Sequence, residues 1–258
     1  MASRAVEEAF SSTSKLLLDL PLSTIDEYAD WLVGDSPNWR VLGRAGKEAA
    51  VPNYGFFKYV PDERIAPFER FEEIGKRRLA VKSPPDLHAL SDEMGRSLIC
   101  VPDVIEGTNM EVDSCTLYKN LVGAYKCLGS FHSKHIGFNS WADYNEHAFG
   151  LYRTFHSNFC IRCYHSDKLS RCFEMDGCVS CSDSLFCHNG ENLDNCMFCF
   201  NAKGLRFAIG NVEYPKEEYM KIKKLVLAEI AQKLVKYKSV PYSIYNIGSK
   251  NGEKSAQL

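Results

Sequence analysis

The eleven cysteines of this chain, at positions 100, 115, 127, 160, 163, 172, 178, 181, 187, 196 and 199, all leave remainder one when divided by three. Random placement would put them in one frame about once in 59,000 trials, so a regular repeat governs the stretch from Cys115 to Ala208. From position 121 the same frame carries mostly small or apolar residues, among them Leu121, Ala124, Ser130, Ile136, Ala148, Leu151, Ser157, Met175, Leu193 and Ala208. Tyr118, Asn139 and Asn145 fit it less well. An inward side chain at every third position matches neither the period of two of a strand nor the 3.6 of an α-helix. Short strands broken by corners do produce it, because each corner resets the alternation. The frame therefore predicts a mainly β fold, a β-solenoid.

Written in sixes, part of the stretch reads KLSRCF, EMDGCV, SCSDSL, FCHNGE, NLDNCM, FCFNAK. The fourth place holds Gly177, Asp183, Asn189, Asn195 and Asn201, residues that tolerate turn or left-handed conformations. The sixth place is often apolar, as in Phe155, Ile161, Phe173, Val179, Leu185 and Met197. A coil must then be a multiple of six. Eighteen residues would stack Cys160, Cys178 and Cys196 in one column, Cys163, Cys181 and Cys199 in another, and Ser130, Ala148, Ser166, Ser184 and Ala202 in a third. Twelve would mix Ile136 with Ala148, and Leu169 with Cys181. Eighteen is favoured over twelve, giving a three-sided prism of about five coils and a rod of about 24 Å.

Three regions follow: 1–110, helical and irregular; 111–211, the solenoid; 212–258, a capping helix and tail. Residues 3–20 have helical spacing up to Pro21. A second helix runs from Ser23 or Thr24 to Val33, with Thr24 and Glu27 at capping-box spacing. Residues 36–63 read as irregular with short extended segments. Helices are expected over 67–79, rich in charge of both signs, and from Pro85 to Leu98. A linker covers 99–113. The clearest helix spans 215–238, where Tyr219, Ile222, Val226, Ile230 and Leu234 form one stripe suited to covering the raw edge of a last coil.

A net charge of −2 gives no long-range pull toward nucleic acid or an anionic membrane. No run of apolar residues is long enough for a transmembrane helix. The N-terminal segment, with Glu7 and Glu8 before its apolar part, does not read as a signal peptide. An odd number of cysteines without an export signal favours reduced thiols and a cytoplasmic location.

The segment 180–191, SCSDSLFCHNGE, resembles one coil of the narrow β-helical insect antifreeze repeat, which also places an inward residue at every third position. The Thr-x-Thr ladder that binds ice is missing, so that activity is not implied. The segment 195–222, NCMFCFNAKGLRFAIGNVEYPKEEYMKI, more closely resembles the end of uncharacterised cysteine-rich C-x-x-C repeat proteins of bacteria and archaea. That resemblance spans about residues 140–240, implies the solenoid, and brings no assigned activity.

Candidate metal ligands are the C-x-x-C pairs Cys160/Cys163, Cys178/Cys181 and Cys196/Cys199, whose spacing is that of zinc knuckles. They share their frame with Ser, Ala and Leu, which ligate nothing, so inert core thiols are the favoured reading over zinc, an iron–sulfur centre or disulfides. Six of the seven histidines fall between 132 and 188; an eighteen-residue coil would stack His147 on His165, a pair able to take a metal or act as a base. With Asp183 these would be the groups of a solenoid enzyme sited between the rod and the N-terminal region. No Ser-His-Asp order, P-loop or dinucleotide glycine pattern has its required context. The outward residues Ile161, Val179 and Met197, with Tyr125, are too apolar to stay wet. They predict burial under the N-terminal helices, or docking of a protein partner or second copy. The favoured function is a non-catalytic scaffold or protein-interaction module of a larger assembly; a metal- or redox-active thiol protein and a solenoid enzyme are the alternatives.

Overall fold

The computed structural model describes residues 1–34, 39–44, 47–52, 58–78, 86–102, 104–164, 170–177 and 179–247. Helices α1 (Arg4–Leu18) and α2 (Ala29–Val33) precede an antiparallel hairpin, β1 (Trp39–Arg44) and β2 (Lys47–Pro52), then α3 (Phe71–Gly75) and α4 (Leu87–Ser97). The solenoid follows as two parallel ladders. One contains β3 (Ile105–Glu106), β5 (Thr116–Lys119), β7 (Leu128–Phe131) and β9 (Ser140–Asp143). The other contains β4 (Met110–Asp113), β6 (Val122–Tyr125), β8 (Lys134–Gly137), β10 (Glu146–Phe149), β11 (Asn158–Ile161) and β12 (Ser170–Phe173). A short hairpin, β13 (Ala208–Ile209) and β14 (Val212–Glu213), and the long helix α5 (Lys216–Tyr237) complete the described elements.

The β-solenoid is as expected, but its coil is twelve residues, not eighteen. Met110 pairs with Val122, Val122 with Lys134, Lys134 with Glu146, Glu146 with Asn158 and Asn158 with Ser170. Single bridges carry the same step onward through Ser182, Asp194 and Arg206. From Met110 to Arg206 this makes a rod of roughly 38 Å at about 4.8 Å per coil. The reason lies in the backbone. A left-handed residue stands before each inward one, as at His135, Phe138, Trp141 and Tyr144, with φ of 50°, 57°, 56° and 54°. A corner therefore falls at every third residue, and four corners close a coil. The Gly, Asp and Asn residues at 177, 183, 189, 195 and 201 mark only alternate corners; Ser180, Phe186, Asn192 and Phe198 turn the others. Uniform columns are not required either. Four inward side chains share each coil, and Ile136 stands between Ala124 and Ala148 of the adjoining coils, so close packing constrains the sum rather than each column.

Every backbone group inside so narrow a rod needs a partner. Left-handed residues donate to the preceding coil, as Tyr144 N–H does to the Phe131 carbonyl (3.1 Å), and outward residues donate to the next, as Leu128 N–H does to the Asn139 carbonyl (2.8 Å). Inward residues find acceptors among the core side chains. Asn139 Oδ1 accepts from Leu151 N–H (3.1 Å), Asn145 Oδ1 from Ser157 N–H (2.8 Å), Ser133 Oγ from Asn145 N–H (3.0 Å), Ser184 Oγ from Cys196 N–H (3.1 Å) and Cys115 Sγ from Cys127 N–H (3.3 Å). The amide groups of Asn139 and Asn145 also donate to the carbonyls of Ala148 and Thr154, both at 3.1 Å. These two asparagines, awkward in the frame, are 0% and 2% exposed and fully employed.

One outward row is apolar at the twelve-residue step: Tyr125, Phe149, Ile161, Phe173, Leu185 and Met197, none more than 3% exposed. Helices of the same chain cover it. Helix α1, capped by the Ser3 side chain, packs across β6, β8, β10, β11 and β12, with Phe10 edge-on to Phe149 at 5.2 Å. Trp31 of α2 lies 5.8 Å from Phe173. Gly137 is the notch for Ile25, since a Cβ there would stand 2.9 Å from Ile25 Cδ1; at Gly150, with φ +74°, a Cβ would meet the Leu32 carbonyl oxygen at 2.7 Å. Val179 is not in this row. It lies on another side of the rod, 49% exposed, because the eighteen-residue spacing that joined it to Ile161 and Met197 is absent.

Other expectations shift locally. Thr24 adopts a left-handed conformation and caps nothing; residues 25–28 form a 3-10 turn whose Ile25 N–H donates to the Glu7 carboxylate. The charged helix expected over 67–79 is a 3-10 turn at Phe68–Arg70 plus the single turn α3, and residue 79 lies outside the described residues. Its charges pair locally on solvated side chains, Glu73 being held down to about 2 by hydrogen bonds from Arg70 and Arg77. The stretch read as irregular contains the β1–β2 hairpin, with residues 36–38, 45, 46 and 53–57 outside the description. Helix α5 buries Tyr219, Ile230 and Leu234 of its expected stripe, with Ile222 and Val226 partly covered. It runs back along the flank of the rod, from Tyr219 against Phe207 to Lys238 beside Glu27. The last coil is closed instead by the β13–β14 hairpin, where the Asn211 side chain donates to the Phe200 carbonyl (2.8 Å) and accepts its N–H (2.9 Å), as another coil would.

Candidate functional site

The twelve-residue coil separates the candidate thiols. Cys160, Cys172 and Cys196 share one inward column, Cys163, Cys187 and Cys199 the next, and Cys181 a third; Cys178 lies outside the described residues. Each C-x-x-C is simply two consecutive inward positions. The pairs Cys160/Cys163 and Cys196/Cys199 are three coils apart, roughly 14 Å, too far for one ion to bridge. No disulfide joins any two of the described cysteines. Cys160 Sγ lies 3.3 Å from the Asn158 carbonyl, Cys181 Sγ 3.6 Å from that of Val179, and Cys196 Sγ 3.6 Å from that of Asp194, contacts made by a thiol and not by a thiolate. Burial pushes Cys115 and Cys163 well up. Within the Cys196–Cys199 pair the two thiols move in opposite directions. Cys196 is pushed up as a donor to Cys199 and by desolvation; although Cys187 and Cys196 draw Cys199 down, its sulfur lies 3.5 and 3.8 Å from the Met197 and Ala208 carbonyls. Metal binding and nucleophilic attack both need a thiolate, and the packing disfavours one at Cys115, Cys163 and Cys196.

The histidines are regrouped by the same change. His165 lies outside the described residues, and Asp183 occupies the same corner as His147 three coils along, its backbone carbonyl held by Lys223 at 2.8 Å. His147 instead meets His135, one coil earlier. Their ring centroids are 5.2 Å apart at 66°, and His135 Nδ1 lies 3.2 Å from His147 Nε2. Phe159 closes the stack on the next coil, 4.8 Å from His147. Glu146 is the neighbouring outward residue, and one ligand atom from each of His135, Glu146 and His147 lies within 4.8 Å of the others. Among the described residues this is the one such convergence of three His, Cys, Asp or Glu side chains. His147 is lowered below the usual histidine range by burial and then by His135. Its Nδ1 is buried with no hydrogen-bond partner among the described residues. Glu146 at the twelve-residue step from Lys134, and His135 at that step from His147, were the sequence signals; an eighteen-residue register hides both.

A second corner carries His132, Tyr144 and His156, stacked nearly parallel at 4.7 and 5.2 Å, with His132 Nδ1 3.2 Å from the Asp143 carboxylate. Tyr144 is 52% exposed, and Phe155 and Val179 stand bare on the same side. Beneath α5 an apolar cavity of about 300 Å³ is lined chiefly by Phe186, Phe198, Val226, Ile230 and Val240. Among the described residues no helix is long and apolar enough to cross a membrane. No protein-family model matches the chain, and no curated protein matches it.

Proposed function

We propose that the chain is a non-catalytic β-solenoid scaffold, a rigid module that holds a protein partner within a larger assembly. The observation that carries this is the division of the rod's outer surface. Its continuous apolar row is sealed by the chain's own helices, while the side bearing Phe155, Val179 and the exposed rungs of the His132–Tyr144–His156 stack is left bare. Rungs about 4.8 Å apart on a stiff backbone suit recognition by extended contact. A thiol-lined core with no disulfide between described cysteines fits a reducing setting such as the cytoplasm.

The test compares the full chain with the variant Tyr144→Ser, Phe155→Ser, Val179→Ser, all at exposed positions, by light scattering and by affinity capture with mass-spectrometric identification. Self-association, or one partner retained by the natural chain and lost with the variant, supports the scaffold. A strict monomer whose captured proteins are the same for both chains overturns it.

A further inference from the structure

We infer that His135, Glu146 and His147 form a site for one divalent transition-metal ion of the zinc class, held by two imidazoles and a carboxylate with a position left open to solvent. The carrying distance is the 3.2 Å between His135 Nδ1 and His147 Nε2. Two nitrogens bound to one tetrahedral zinc at about 2.0–2.1 Å stand about 3.3 Å apart, so an ion can replace the shared proton with little movement of either ring.

The ring of His147 is oriented for this. Its Nδ1 is turned into the protein without a partner among the described residues, and Phe159 packs edge-on against it at 4.8 Å, so Nε2 is the nitrogen left to serve a ligand. His135 is held from the other side, its ring stacked over Gly123, where a Cβ would come within 2.9 Å of His135 Cδ2. Glu146 is exposed, and its carboxylate is free to swing the remaining distance onto an ion. Two histidines and a glutamate with an open fourth position is also a ligand set that zinc accepts. Cys160, Cys181 and Cys196 are packed against backbone carbonyl oxygens inside the rod and take no part in this corner.

Cobalt(II) and zinc titrations of the full chain test the assignment, read by visible absorption, by calorimetry and by the histidine ring signals in ¹H–¹⁵N spectra. The variants are His135→Asn, His147→Asn and Glu146→Gln. Asparagine already occupies the equivalent left-handed corner at Asn195 (φ 52°), so both histidine variants keep the backbone, which a thermal melt verifies. One equivalent of cobalt with d–d bands and no sulfur charge-transfer band, shifted His135 and His147 signals, loss of binding in both histidine variants and about tenfold or more weakening in Glu146→Gln would establish the site. Absence of binding at high micromolar zinc, binding that survives both histidine variants, or a thiolate charge-transfer band would overturn it.

Discussion

Asn139 illustrates how the rod's interior works at the scale of one residue. Its side chain satisfies the Leu151 N–H and the Ala148 carbonyl in a space no water reaches. Asn139→Leu leaves both groups unpaired and is expected to destabilise by about 1–3 kcal/mol for each, measured as a lower urea midpoint with unchanged slope. Cysteine, serine and asparagine recur inside for this reason: each accepts an N–H or donates to a carbonyl while filling little volume. Thiol labelling with a water-soluble disulfide reagent should accordingly modify half-buried Cys100 first, and spare Cys127, Cys160, Cys163, Cys172, Cys187 and Cys199 until the chain unfolds. Rapid native labelling of the latter group would refute the closed core. That these positions point inward was legible in the sequence; which neighbour each one meets was not, because that depends on the coil length.

The N-terminal helices and the rod's outward apolar row make one core, separate from the lining inside the rod, and the contacts between elements decide its strength. Phe10, fully buried between α1 and Phe149, is expected to cost about 3–5 kcal/mol on truncation to alanine, read by denaturant unfolding. Gly150→Ala should cost at least about 1–2 kcal/mol from backbone strain alone, before the contact with the Leu32 carbonyl is counted. Asp26 ties the 3-10 turn to the rod. Burial raises its carboxyl, but hydrogen bonds from Lys126 and Tyr125 outweigh burial, and the net position is below the usual carboxylate range. A group lowered on folding stabilises above its unfolded value, and that stability is lost as pH falls through its folded value. Stability should therefore decline in acid, and Asp26→Asn should flatten the decline in a pH series of melts. His147, also lowered, acts at milder acidity: the unfolded chain takes its proton first as pH drops through the ordinary histidine range, so His147→Asn should lessen the loss of stability there. The helix periods of 4–18 and 216–237 are plain in the sequence. The Thr24–Glu27 capping box is not made, because Thr24 is left-handed and the Glu27 N–H donates to the Thr24 backbone carbonyl at 2.9 Å instead of its side chain.

For the whole molecule, the coil length makes a prediction that a shorter or longer period does not. Removing residues 182–193, one full coil, leaves every later residue on its own face, since Asp194 then stands where Ser182 stood. A cooperative melt at reduced temperature is expected. Removing only 182–187 turns everything downstream by half a coil, carries Met197 and α5 to the opposite side of the rod, and should abolish the cooperative transition in circular dichroism. Equal outcomes for the two deletions would disprove the twelve-residue register. The inward frame belongs to the sequence alone, because a residue that must be buried has to be small, apolar or able to hydrogen-bond to backbone wherever the coil closes. The tertiary structure decides how many triplets close a coil, which outward row α1, α2 and α5 cover, and that His135 stands by His147. Volume is balanced across a coil and hydrogen bonds run between coils, and neither relation is visible along a single column of letters.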